Sequence, residues 1–139
     1  MRQIEMRLPN ELGYERVAVD SAASTARMMG FSDDRIEDLK TALAEACINS
    51  IEHGGKKRAT RKLLVRLTVR EDRLQMDVYD NGEKFDIKMH RPRIEVRIDG
   101  TTPPRGWGIF LMRSLVDSVE VSSADGGNVT RLVMYLHRT

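Results

Sequence analysis

The sequence predicts an α+β fold, a two-layer α/β sandwich in which a mixed, mostly antiparallel sheet is covered on one face by helices. Two observations carry that prediction. The elements run strand, helix, helix, strand, strand, long loop, helix, strand, strand, so helices and strands are grouped and do not alternate one for one. Two strand pairs are joined by tight turns, at Glu71-Asp72 and at Asp125-Gly126-Gly127, and therefore read as hairpins. The 139 residues, 40% of them hydrophobic, supply the core of a single domain over residues 1–139.

Residues 2–8 alternate polar and apolar side chains like a half-buried strand. Pro9-Asn10 interrupts it, and Asn10 is the expected N-cap of a helix ending at Met29. Leu12, Val19, Ala22, Ala26 and Met29 recur there at helical spacing, and Gly30 is the stop. Ser32 caps a second helix, with Asp33 and Asp34 in its first turn at the positive end of the dipole. That helix should run to about His53 and end at Gly54-Gly55, with Ile36, Leu39, Leu43, Cys47 and Ser50 on one narrow stripe. Alternation of Leu63, Val65, Leu67 and Val69, then of Leu74, Met76 and Val78, marks strands at 60–70 and 73–79. Residues 81–105 form a long charged stretch punctuated by Gly82, Pro92, Gly100, Pro103 and Pro104, and in a compact domain such a connection is usually functional or mobile. Within it Ile94, Val96 and Ile98 alternate like a short extra strand. A third helix follows Gly106-Trp107-Gly108, and strands at 119–122 and about 128–137 complete the order.

Several function classes are excluded early. No apolar run approaches the ~18 residues of a membrane span. Met1-Arg2-Gln3-Ile4-Glu5 lacks the apolar core of a secretion signal, and the expected location is the cytoplasm. A lone cysteine, Cys47, excludes an internal disulfide and a Cys-based zinc site. A net charge of +2 and 5% aromatic residues give little support to direct nucleic-acid binding. The basic run Lys56, Lys57, Arg58, Arg61 and Lys62 reads as a solvated loop or strand edge. A phosphate-binding P-loop fails at Gly55-Lys56, where Ser50 and Lys57 stand in place of the required glycine and hydroxyl residue. Gly106-x-Gly108 lacks the third glycine of a dinucleotide fingerprint, because Leu111 stands there.

Three features remain. Glu45, Asn49 and His53 follow one another at i, i+4 spacing on the flank of the second helix opposite its apolar stripe. Taken alone, such a flank is most simply a solvated helix face. Asp80-Asn81-Gly82 closes the first hairpin, either as an ordinary turn or as a carboxylate placed to accept a hydrogen bond from an exocyclic amine. Arg105-Gly106-Trp107-Gly108 opens a helix, where free backbone N–H groups, glycines and a fixed charge can make an anion site.

Together, in this order, the set resembles the GHKL, or Bergerat-fold, ATPase superfamily, and within it the anti-sigma factor serine-protein kinases. Ile36 to Lys40 through Glu45 to Asn49 resembles the family's N box, Asp80 to Asp86 its first glycine box, Gly106 to Met112 its second, and Gly127 to Leu132 its closing strand. Two positions depart from the pattern. Lys84 stands where a second glycine is common, and Asn128 and Val129 stand nearest the usual threonine, with Thr130 one place away.

The resemblance implies the following. ATP and Mg²⁺ are the cofactors, under a lid at about 83–105. Asn49 coordinates the metal, and Glu45 is the general base toward a serine hydroxyl. Asp80 reads the adenine amine. Gly82, Arg105, Gly106 and Gly108 line the nucleotide, with His53 and Thr130 nearby. The implied partners are a sigma factor and an anti-anti-sigma protein of the STAS class, and the implied assembly is a homodimer. Two alternatives stay open: a nucleotide-binding regulatory module without phosphotransfer, and the catalytic domain of a histidine kinase. No upstream helical hairpin bearing a phosphoacceptor histidine is seen, which argues against the latter.

Overall fold

The computed structural model describes residues 1–52, 62–80, 91–92, 104–124 and 127–137. The order is β1 (Arg2–Pro9), α1 (Glu15–Met29), α2 (Asp33–Glu52), β2 (Lys62–Val69), β3 (Arg73–Tyr79), β4 (Arg91–Pro92), α3 (Pro104–Leu115), β5 (Ser118–Ala124) and β6 (Gly127–Tyr135). The strands form one sheet in the order β1-β2-β3-β6-β5-β4, and every described pairing is antiparallel. The two-residue β4 is the described part of the stretch in which a strand around Ile94, Val96 and Ile98 was expected; those three residues lie outside the described set.

Period-two alternation places Leu63, Val65 and Leu67 of β2, Leu74, Met76 and Val78 of β3, and Leu132 and Met134 of β6 on the helix-covered face. The α2 stripe packs onto it. Ile36, Leu39, Leu43 and Cys47 are all buried, together with Ala42 and Ala46. Gly30 ends α1 in the left-handed region at φ 98°, where a Cβ would be strained, and its N–H reaches the Ala26 and Arg27 carbonyls. The Ser32 hydroxyl accepts from the Arg35 N–H at 3.4 Å, which starts α2.

Two helix starts differ from expectation. The first helix begins at Glu15, not after Asn10. Residues 11–14 make a separate turn, with the Tyr14 N–H donating to the Glu11 carbonyl at 3.2 Å, and Asn10 is buried at the end of β1. Leu12 is therefore outside the helix and exposed. The third helix begins at Pro104, so Arg105 to Gly108 lie within its first turns. Proline tolerates that first position because its missing N–H has no partner there anyway.

The opposite face of the sheet carries a charge ladder. Glu5, Arg66, Asp77, Arg131 and Glu120 stand opposite one another across five strands, alternating in sign. Arg66 pairs with Glu5 at 2.9 Å, and Arg131 pairs with the fully buried Asp77 at 2.7 Å. Gln75 donates to the other Asp77 oxygen at 2.9 Å. At the sheet's far end Arg35 ties α2 to Asp117 at 2.9 Å and to the Tyr135 and Leu136 carbonyls.

Two outcomes are expected. Asp77→Ala strands Arg131 over a buried site and should lower the unfolding free energy by about 2–3 kcal/mol, read as a lower urea midpoint at unchanged slope. Burial, with the Glu15 charge second, pushes the Cys47 thiol up to about 12. Its folded pKa lies above the unfolded value of about 8.5, so its contribution to stability is whole below that value and fades as pH rises toward the folded one. Cys47 should ignore a disulfide reagent at pH 8 in the folded protein and react once the chain is unfolded; prompt reaction of the native thiol contradicts this burial.

Candidate functional site

The site lies at the seam between the helix layer and the sheet, where α2, α3 and the ends of β3 and β6 meet. Asn49, Ser50, Val78, Asp80, Ile109, Met112, Val121, Asn128 and Thr130 line a cavity of about 240 Å³. That is small beside the ~300–1,000 Å³ of a complete small-molecule site, and it suits one heterocycle. Its walls are apolar, from Val78, Val121, Ile109 and Met112; its polar groups come from the end of α2 and from the strand ends.

Asp80 directly follows β3 and is 4% exposed. Its carboxylate accepts the Asn128 backbone N–H at 2.6 Å on one oxygen and the Asn128 Nδ2 at 3.1 Å on the other. The Asp80 N–H in turn donates to the Asn128 carbonyl at 3.1 Å. Two neighbouring strand ends thus fix one buried carboxylate, which keeps lone pairs for a donor in the cavity. Thr130 sits two residues along β6 on the same face, opposite Val78 and Val121, whereas Val129 lies on the other face with Leu64 and Tyr79.

One turn before the cavity, α3 crosses the polar flank of α2. A Cβ added at Gly108 would stand 2.6 Å from Glu45 Oε1 and 2.8 Å from Asn49 Nδ2. The backbone of α3 therefore rests directly on the two polar side chains, and both are only half-exposed. A flank that reads as solvated from helical angle alone is covered by a second helix. Asn49 joins the two parts, because it lines the cavity and also meets Gly108.

Of the residues named from sequence, the structure gathers Glu45, Asn49, Asp80, Gly108 and Thr130 around this seam. Arg105 and Gly106 lie in the first turns of α3, and only their backbone is described. His53, Gly82, Lys84 and nearly all of the expected lid at 83–105 are outside the described residues. Two residues of the site were missed. Asn128 shares a strand face with Thr130, and that period-two signal was available. Ser50 stood out as the one hydroxyl on an apolar stripe.

Residues 8–134 match the family described as the histidine kinase-like ATPase domain. The chain belongs to that family. Its relatives within the family include serine-protein kinases. The serine-protein kinase RsbW of Bacillus licheniformis is 36% identical over 140 residues, covering 97% of this chain and 86% of its own. The RsbW of Bacillus subtilis strain 168 is 33% identical over 138 residues, covering 96% and 86%. That of Halalkalibacterium halodurans is 34% identical over 140 residues, covering 97% and 84%. A crystal structure of RsbU and RsbW domains from Mycobacterium tuberculosis matches the fold with a TM-score of 0.70 at 17% identity, over 100% of this chain and 34% of that one.

For an ATPase domain, the contact at Gly108 gives a direct test. Gly108→Ala forces Glu45 and Asn49 aside without touching the apolar core. It should keep the wild-type circular dichroism and lose ATP affinity by on the order of tenfold or more. An alanine variant that binds ATP as tightly as wild type would show that this close approach is incidental.

Proposed function

We propose that this chain is an ATP-dependent serine-protein kinase that is also an anti-sigma factor. In one state it binds a sigma factor, and in another it phosphorylates a small STAS-class antagonist. The observation that carries the reading is the meeting of Glu45, Asn49 and the α3 backbone at Gly108, beside a cavity that ends in the buried Asp80. The relatives named as serine-protein kinases support it across nearly the whole chain.

The residues present fit a nucleotide. The cavity has apolar walls for a base, and the Asp80 carboxylate, an acceptor, suits an exocyclic amine. Asn49 offers one neutral amide oxygen, which suits Mg²⁺, a hard ion that keeps several waters and takes its charge from phosphates. Bound Mg-ATP supplies the phosphoryl group.

The chain's own part is positioning and proton handling. Glu45 accepts the proton of the incoming serine hydroxyl and orients it, so that the serine oxygen gains the phosphoryl group as ADP departs. Arg105 and Gly106 bring charge and free backbone N–H groups to the phosphates at the start of α3, and Gly108, without a side chain, lets the helix backbone come close to Glu45 and Asn49. His53 and Gly82 belong to the same lining, Thr130 to the base end, and a lid at about 83–105 excludes water. A phosphoserine adds about −1.5 to −2 charges to the antagonist and breaks a close interface by repulsion and desolvation. The protein acts in the cytoplasm as a homodimer. Among the described residues, no helix is long and apolar enough to cross a membrane.

Incubation with Mg-ATP and a candidate STAS protein should yield phosphoserine on that protein. Glu45→Gln should abolish the transfer, by about 10²–10⁴-fold, while ATP binding is retained. ATP binding without phosphoserine from the wild-type chain would instead mark a regulatory module that transfers nothing.

A further inference from the structure

The buried stripe of α2 is apolar from Ile36 to Cys47 and then presents a hydroxyl. Ser50 is 9% exposed, and its Oγ is buried with no hydrogen-bond partner among the described residues. A hydroxyl inside a helix has an acceptor close by, the carbonyl four residues back. Ser21 and Thr25 of α1 use theirs at 2.8 Å, and Thr41 of α2 uses its own at 3.1 Å. Ser50 does not. Packing does not call for it either, since Cys47 and Ile51 beside it are buried and apolar. An unpaired buried hydroxyl costs stability. Ser50 is also among the residues lining the cavity with Asp80, Asn128 and Thr130.

We propose that Ser50 Oγ donates a hydrogen bond to a ring nitrogen of the adenine base, directly or through one ordered water, and thereby sets the base specificity of the pocket. This rests on the nucleotide reading above. Asp80 can only accept, so it pairs with the exocyclic amine. The ring nitrogens on either side of that amine are themselves acceptors and need a donor. The Asn128 Nδ2 gives one of its two hydrogens to Asp80, and Asn128 and Thr130 are only partly buried. Ser50 is the buried hydroxyl of the lining that has no partner among the described residues. Guanine carries a carbonyl oxygen where adenine carries its amine, and would set that oxygen against the Asp80 carboxylate. An acceptor beside a donor, in this order, selects adenine.

The test is a calorimetric titration of the full chain, wild type and Ser50→Ala, with ATP, 1-deaza-ATP and 7-deaza-ATP. Ser50→Ala should weaken ATP by about fivefold to tenfold. One of the two analogues should bind wild type and variant equally, and so identify the nitrogen that is read. Thermal unfolding of the ligand-free variant should occur at or above the wild-type temperature, because an unpaired hydroxyl has been removed. The proposal is overturned if ATP binds both proteins alike, if the variant loses the same factor against all three nucleotides, or if the ligand-free variant unfolds at a lower temperature. If the wild-type chain binds no ATP, the nucleotide reading fails and takes this one with it. If wild type binds and Ser50→Ala is indifferent, this one fails alone.

Discussion

The approach of α3 to α2 at Gly108 is the contact on which the site depends. Hydrogen in place of Cβ lets one helix backbone rest on the ends of Glu45 and Asn49, within 2.6–2.8 Å of where a carbon would stand. Without that approach the two side chains would lie on an open helix flank, free to sample many rotamers. With it, they are half-buried and their reach is limited. Catalytic groups gain from such restriction, because orientation that is fixed before the reaction need not be found during it. Gly108 is the fifth residue of that helix, so the contact lies about one turn from the N-terminus, where backbone N–H groups are not used inside the helix.

A second constraint comes from the sheet. Asp80 and Asn128 hold each other through both backbone and side chain, at the point where β3 and β6 end. The carboxylate is therefore anchored to the sheet, next to strands β3 and β6, which pair from Arg73 to Tyr79 and from Val129 to Tyr135. The helix layer contributes Asn49 and Ser50 to the cavity's polar groups and the sheet contributes Asp80, Asn128 and Thr130, with apolar side chains of both layers in the same lining. On the opposite face the charge ladder lies beside a small buried cluster of Leu64, Tyr79 and Val129, while the larger apolar set of the sheet faces the helices.

The fold was largely legible because its signals are periodic. Strands β2, β3 and β6 announce themselves by alternation, and α2 by one stripe. Local rules failed where a neighbouring turn or tolerance overrode them. Asn10 has the chemistry of a cap, but the turn through residues 11–14 delays α1 to Glu15. Pro104 looks like a breaker, yet proline is accepted at the first helical position, so α3 starts before the glycines and not after them. The site was legible in part. Glu45, Asn49 and Asp80 stood out by spacing, whereas the role of Asn128 depends on a partner 48 positions away. No periodicity reports a contact of that kind.

The covered flank of α2 explains why motif order mattered more than any single motif. A polar i, i+4 series on a helix is ordinary, and so is a glycine pair at a helix start. Each acquires chemical meaning only when the other is packed against it. The Gly108 contact supplies that packing, and it constrains both partners at once. A side chain at position 108 is excluded by Glu45 and Asn49, and the glycine lets those two polar ends accept the close approach of the helix. The pair is therefore one structural unit, and the cavity beside it, lined by the Asp80 carboxylate and by Ser50, whose hydroxyl has no partner among the described residues, is the place that unit serves.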